Sequence, residues 1–449
     1  MNQNAPDGSS TLTYPPGYRD RRGLNWGFLG LLYTSFYMCR YNLSIANGAI
    51  SKEFGFTFAN MGTIITFWSI AYGCGQIING MICDKIGGKK SMLIGAAGTV
   101  VMNILFGAAS FWGMLWLFVT IRTIDGYLQA YGSPGMIKIN AAWFAHRERG
   151  RFAGIYGFMI NLGRFGIFKL GPALLAGGLF LGMMRIPPLH WRWLFWAPSG
   201  ICVVVAVGMA IFVKETPEEA GFHNTAAAEA AAPGPAPSIM DLVMKMVAHP
   251  TIWIVALAYA CTGAVRQSVD NWFPRYMQDM FNTDLNSAQF QWLGFLIPFV
   301  ASAGSLASGY ISDIWFKGRR APVAAGLYFV ETAVILLAAQ FHTANAAVLF
   351  LVLISLTANS THSILGTAAA MDIGGRKQSG LASGIIDSFQ YFGGSLAGIV
   401  LGWFLDKSLG NYFYFMAPFG FVGGLLMLLI MGKIDPKTET IPSPEPAVK

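Results

Sequence analysis

The chain has 449 residues, of which 54% are hydrophobic and only 12% are charged. Soluble domains carry roughly 25% charged residues, so this composition excludes an ordinary soluble globule and points to burial in lipid. The net charge of +8 sits in short loops between apolar runs. There it sets membrane topology, and no nucleic-acid partner is expected.

Residues 1–23 form a polar tail without the apolar stretch of a signal peptide, so the first hydrophobic run is expected to be retained. A membrane-crossing helix needs about 20 mostly apolar residues. Twelve such runs follow, at roughly 24–46, 60–83, 91–111, 113–137, 152–181, 192–213, 251–276, 288–313, 321–341, 345–370, 381–404 and 411–432. Residues 214–249 interrupt them with the low-complexity stretch TAAAEAAAPGPAPS, which reads as a linker. The expected organisation is a bundle over 24–213, a cytoplasmic linker over 214–249, a second bundle over 250–432 and a tail over 433–449.

The chain has 30 lysines and arginines, of which six (Arg40, Arg122, Lys138, Arg164, Lys169 and Arg266) are read within the membrane. With twelve crossings, 19 of the others fall on the side of the termini and five on the opposite side. The positive-inside rule then places both termini in the cytoplasm, across a bacterial-type inner membrane. The five cysteines lie in apolar runs without a metal-ligand spacing, so neither a disulfide nor a metal is expected.

The two halves repeat one another. GMICDKIGGKK begins at Gly80 and GYISDIWFKGRR at Gly309, which sets Asp84 and Asp313 229 residues apart. Arg40 and Arg266, in the first and seventh runs, are 226 apart. Parallel repeats place a substrate site between the halves near the membrane midplane. The paired loops resemble the major facilitator superfamily. That resemblance implies an all-α membrane protein with twelve transmembrane helices in two pseudo-symmetric six-helix bundles. It also implies that Asp84, Lys85 and Lys89, with Asp313 and Arg319, form a cytoplasmic conformational hinge.

Each ionisable group at the bilayer centre costs about 3 kcal/mol or more, so it is expected to face a cavity or a partner. Those read inside the runs are Arg40, Arg122, Asp125, Lys138, Arg164, Lys169, Arg266, Asp270, His362 and Asp387. Cations outnumber acids, which favours an anionic ligand. Arg40 and Arg266 sit about 20 Å into their helices at 1.5 Å per residue, one from each half. The guanidinium fork suits bidentate capture of phosphate or carboxylate. Against this, Asp270 lies at i+4 from Arg266 and can neutralise it. Tyr33 and Tyr37 share the Arg40 helix face, and Tyr72 and Tyr391 add phenols from other runs. His362 is a candidate proton relay, although a lone buried His more often only packs.

FYMCRYNLSIA (36–46), SIAYG (69–73), AWFAHRERGRFAGIYG (142–157), ETPEEAG (215–221), RQSVDNWFPRY (266–276) and SGLASGIIDSFQYFGGSLAG (379–398) resemble the organophosphate:phosphate antiporters, most closely the glycerol-3-phosphate branch. The resemblance implies that Arg40 and Arg266 bind a phosphoryl group and that Tyr33, Tyr37, Tyr72 and Tyr391 line the pocket. Three positions depart from that pattern. Gln76 stands where a pocket Lys is expected. Gly163 or Arg164 replaces a pocket His, with Lys169 five residues on. Asp387 matches an acid of the sugar-phosphate branch, but Gln390 replaces the Lys found there at i+3. Positive charge on the fifth run favours a more anionic ligand, such as a phosphorylated carboxylate.

No phosphate-cradling G-x-x-x-x-G-K-[ST] and no H-E-x-x-H occurs. The expectation is therefore a gradient-driven carrier without cofactor, and not an enzyme. The leading reading is a monomeric exchanger of a small organophosphate for inorganic phosphate, with Asp270, Asp387 and His362 balancing charge. The alternative is a proton-coupled carrier of a non-phosphorylated organic anion. A transporter-like sensor is the third reading.

Overall fold

The computed structural model describes residues 14–144, 149–180, 183–222, 250–369 and 384–431. The Ala/Pro linker, the C-terminal tail and most of the N-terminal tail lie outside the described residues.

The first half contains α1 (Tyr18–Phe54), α2 (Phe58–Ile86), α3 (Gly88–Ala109), α4 (Leu115–Gln129), α5 (Gly132–Trp143), α6 (Arg149–Ala176) and α7 (Trp193–Phe212). A short hairpin of β1 (Gly178–Phe180) and β2 (Met184–Ile186), not anticipated from sequence, joins the last two helices. The second half contains α8 (Pro250–Phe281), α9 (Ala288–Ile314), α10 (Arg320–Ala338), α11 (Ala344–Ser363), α12 (384–396), α13 (Ile399–Lys407) and α14 (Asn411–Leu429).

Local chemistry sets the boundaries. α1 runs on until Gly55 adopts the left-handed conformation at φ 67°, so it is longer than the apolar run within it. Thr57 and Asn60 form a capping box that starts α2. Ser287 and Thr343 cap α9 and α11 through their hydroxyls. Nine described helices are long and apolar enough to cross a membrane. α1 is not among them because its buried face carries Asn25, Arg40, Asn42, Ser44 and Asn47. Two expected spans are broken. The fourth divides into α4 and α5 around Ala130 and Tyr131, and the eleventh into α12 and α13 at Ala397 and Gly398.

The second break has an identifiable cause. Thr66 on α2 donates its hydroxyl to the Ser395 carbonyl at 2.7 Å and accepts from the Ile399 N–H at 2.8 Å. Those backbone groups are an i, i+4 pair that an unbroken helix joins directly. A side chain inserted into the ladder is a known origin of helix kinks.

Within the first half, α1 packs on α6 and α7, and α2 on α4. Within the second, α9 packs on α11, and α10 and α8 on α14. The halves meet along α1 with α8, α2 with α13, and α6 with α9. The α2 seam is tight: a Cβ on Gly62 would lie 2.4 Å from the Gly398 carbonyl oxygen, and one on Gly402 would lie 2.5 Å from that of Phe58.

Candidate substrate site between the two halves

Arg40 is central in α1, where almost every residue from Leu29 to Ile50 is buried. Its Nε donates to Gln129 Oε1 at 2.7 Å and its Nη1 to the Tyr391 hydroxyl at 3.0 Å. Its guanidinium carbon lies 4.3 Å from the Tyr37 ring centroid, 4.4 Å from Tyr72 and 5.1 Å from Trp68. These aromatic faces stabilise a cation without neutralising it. No carboxylate of the described residues lies within ion-pair distance of Arg40. Its Nη2 and the Gln129 Nε2 satisfy no hydrogen bond among the described residues, so two buried donors stand ready for an acceptor. Arg122 holds the Arg40 backbone, donating to its carbonyl at 2.6 Å while pairing with Asp125 at 2.9 Å.

Arg266 occupies the corresponding place in α8. Its Nε donates to Asn359 Oδ1 at 3.1 Å and lies 3.9 Å from Asp270 Oδ2. With the Gln390 amide oriented to suit its neighbours, the Gln390 oxygen accepts from Arg266 Nη1 at 2.6 Å, and its nitrogen donates to Asp387 at 3.2 Å. Gln390 and Tyr391, adjacent on α12, thus reach the two arginines from one helix. Each arginine is only 4% exposed. A small gap lined by Arg40, Trp68, Arg122, Gln267 and Asn271 lies beside the first of them.

The remaining expected residues divide by place. Tyr33, Tyr37, Tyr72 and Tyr391 are buried; Tyr37, Tyr72 and Tyr391 touch Arg40, and the Tyr33 ring packs on Tyr37 at 5.4 Å. Gln76 donates to Asp387 at 3.1 Å across the halves. Arg164 is not brought to Arg40. It pairs with Asp270, both groups almost completely buried, and Tyr41 donates to the same carboxylate at 3.1 Å. Lys169 lies further along α6, donating to the backbone and side-chain oxygens of Gln291 at 2.8 Å. Of the acids set beside the arginines, Asp270 carries the long contact to Arg266 anticipated from its i+4 spacing, but its short bond goes to Arg164. His362 hydrogen-bonds and stacks with Tyr259 and precedes a π-helical turn at Ile364–Ala369.

In the paired loops, Lys138 Nζ donates to the Asp84 carbonyl at 2.8 Å, and Arg320 pairs with Asp313 at 2.6 Å. Lys89 donates to the Ala210 and Val213 carbonyls, and Arg319 forms the N-terminal cap position of α10. Lys85 lies in the last turn of α2.

Sequence reasoning passed over Gln129, Asn359 and Trp68, which hold the two arginines. Amides within apolar runs were the available signal for the first two. It also passed over Glu331 in α10, which is fully buried with neither carboxylate oxygen hydrogen-bonded to a described residue.

Every hydrogen bond that crosses between the halves, among the described residues, lies from the level of Gln76–Asp387 and Asn161–Ser302 towards the Phe54 end. There Arg275 donates to Asn47 at 2.9 Å and Ser51 at 2.7 Å. The Asp406 carboxylate accepts from the N–H groups of Phe58 and Ala59 at 2.8 and 2.9 Å. One end of the molecule is therefore tied shut above the arginines.

The sequence profile of the Major Facilitator Superfamily matches residues 29–398. The chain belongs to that superfamily. This facilitator is accordingly a multi-pass membrane transporter and not an enzyme. It is 25% identical over 433 residues to the membrane sensor protein UhpC of Escherichia coli, covering 90% of each chain. It is 25% identical over 425 residues to the glycerol-3-phosphate transporter of Bacillus subtilis, covering 90% of this chain and 88% of the relative. A probable hexose phosphate transport protein of Chlamydia trachomatis is also 25% identical, over 397 residues. Among solved structures, a bacterial homolog of the human lysosomal transporter Spinster, in an inward-facing and unoccupied conformation, superposes with TM-score 0.67. It has 15% identity and covers 93% of this chain and 96% of that one, and so supports the fold alone.

Proposed function

We propose that this facilitator exchanges a small organophosphate for inorganic phosphate by alternating access, acting as a monomer in a bacterial inner membrane with both termini cytoplasmic. The observation that carries the reading is the pair of buried guanidiniums, one from each half, bridged by Gln390 and Tyr391 of a single helix. A phosphoryl group between them draws the halves together, and its departure leaves two cations that repel. Unsatisfied donors on Arg40 and Gln129 suit phosphoryl oxygens. The names of the glycerol-phosphate and hexose-phosphate relatives point the same way. In this reading Arg164 and Asp270 tie the halves together on the Phe54 side of the site, the two paired loops flex on the cytoplasmic side, and the tied end is periplasmic.

Proteoliposomes test it. Internal phosphate is expected to drive organophosphate uptake, and Arg40→Lys, which removes the planar fork, to reduce it at least tenfold. Uptake that ignores internal phosphate and follows only the pH gradient would support the proton-coupled carrier instead, with Asp270, Asp387 or His362 taking the proton. Similarity to a sensor protein gives a third outcome its meaning: saturable binding with no flux.

A further inference from the structure

The acid of the site, Asp387, makes no ion pair within 4 Å among the described residues. Asp387 lies on α12 one helical turn from Gln390 and Tyr391, and it is only partly buried. Its hydrogen-bond partners among the described residues are neutral, namely Gln76 Nε2 at 3.1 Å, the Gln390 amide at 3.2 Å and the Tyr259 phenol, while the charges of Arg266 and Arg40 act on it from beyond contact. The positive charge that the fifth run promised is used elsewhere, since Arg164 is neutralised by Asp270 and Lys169 is bound to Gln291 towards the closed end.

Three guanidiniums (Arg40, Arg164, Arg266) and two carboxylates (Asp270, Asp387) leave a single net positive charge. A phosphate ester approaches two negative charges near neutral pH, and a phosphorylated carboxylate carries a third. Either would set surplus negative charge in a poorly hydrated site beside Asp387. An ester that carries its own ammonium group has a net charge close to minus one and supplies a cation that can contact Asp387 directly.

We propose that the preferred substrate is an amine-bearing phosphate ester or phosphonate, its phosphoryl group held by Arg40 and Arg266 and its ammonium group by Asp387. This rests on the phosphoryl reading of the two arginines.

The test is displacement of radiolabelled inorganic phosphate from the purified full-length protein in nanodiscs. The competitors are 2-aminoethyl phosphate, glycerol 3-phosphate and 3-phosphoglycerate. The amine is expected to displace at a concentration at least tenfold below glycerol 3-phosphate, with 3-phosphoglycerate weakest. Asp387→Asn is expected to reduce the amine-to-glycerol affinity ratio to below threefold. Gln76→Lys, which supplies the missing cation within the protein, is expected to reverse the ranking and does not depend on the first variant folding. Phosphate binding without a preference for the amine overturns this inference and leaves the phosphoryl reading standing. A tenfold preference that survives in both variants overturns the role of Asp387. Absence of phosphate binding to the wild-type protein overturns the phosphoryl reading and this inference with it.

Discussion

Asp270 shows how much of a site rests on a partner that local spacing does not reveal. Arg266, one turn away, was its evident mate, yet its short bond goes to Arg164 on a helix of the other half. Removing one member of a buried ion pair leaves an uncompensated charge, at a cost of about 3–5 kcal/mol. Arg164→Met is therefore expected to lower the thermal midpoint of the solubilised protein strongly, and the Arg164→Met/Asp270→Asn double variant to recover most of the loss. An unchanged midpoint in the single variant would remove the pair from the account of stability. Arg40 and Arg266 were legible in the sequence because a guanidinium in an apolar run is costly wherever it faces. What surrounds them was not legible, because Gln129 and Tyr391 reach Arg40 from residues 89 and 351 positions away. Glu331 was missed for the opposite reason: it lies in a run whose overall hydropathy hides a single acid.

Helix existence and order followed from apolar length, but the breaks did not. The eleventh run reads as one continuous helix, and only the hydroxyl of Thr66, on a helix more than 300 residues earlier, interrupts it. Thr66→Val keeps the shape and removes both bonds. The Ile399 N–H is then left without its acceptor, at a cost of about 1–3 kcal/mol, unless α12 and α13 straighten. The variant is expected to melt earlier than wild type, and Thr66→Ser to match wild type. A second element-scale dependence is the start of α2, where Asp406 satisfies two N–H groups and meets the positive end of the helix. Capping losses of about 1–2 kcal/mol correspond to roughly a 5- to 30-fold change in population. Asp406→Ala is thus expected to raise modification of a cysteine placed at Thr63 by an impermeant maleimide added from the tied side. Equal labelling rates would show that this cap does not help to hold the end shut.

At the scale of the whole molecule, the halves are joined at one end by polar ties and close helix contacts. Asn161 and Ser302 hydrogen-bond at 2.8 Å across the halves. In a background lacking the exposed Cys74, an Asn161→Cys/Ser302→Cys pair is expected to form a disulfide that stops transport and to release it on reduction. Full activity in the oxidised protein would contradict alternation between the two halves. The twofold repeat was visible in the sequence from Asp84 and Asp313, whereas the end that is closed was not, because closure depends on which of two packings the same contacts favour.

The glycine seam has a kinetic consequence. Where Gly62 meets Gly398 and Gly402 meets Phe58, main chain lies against main chain. Parting such surfaces releases few rotamers, and rejoining them immobilises few. The rate of gating is then governed by a small number of discrete polar links rather than by the slow re-sorting of an interlocked core, so single substitutions at those links should move the opening rate more than any change in the apolar packing beside them.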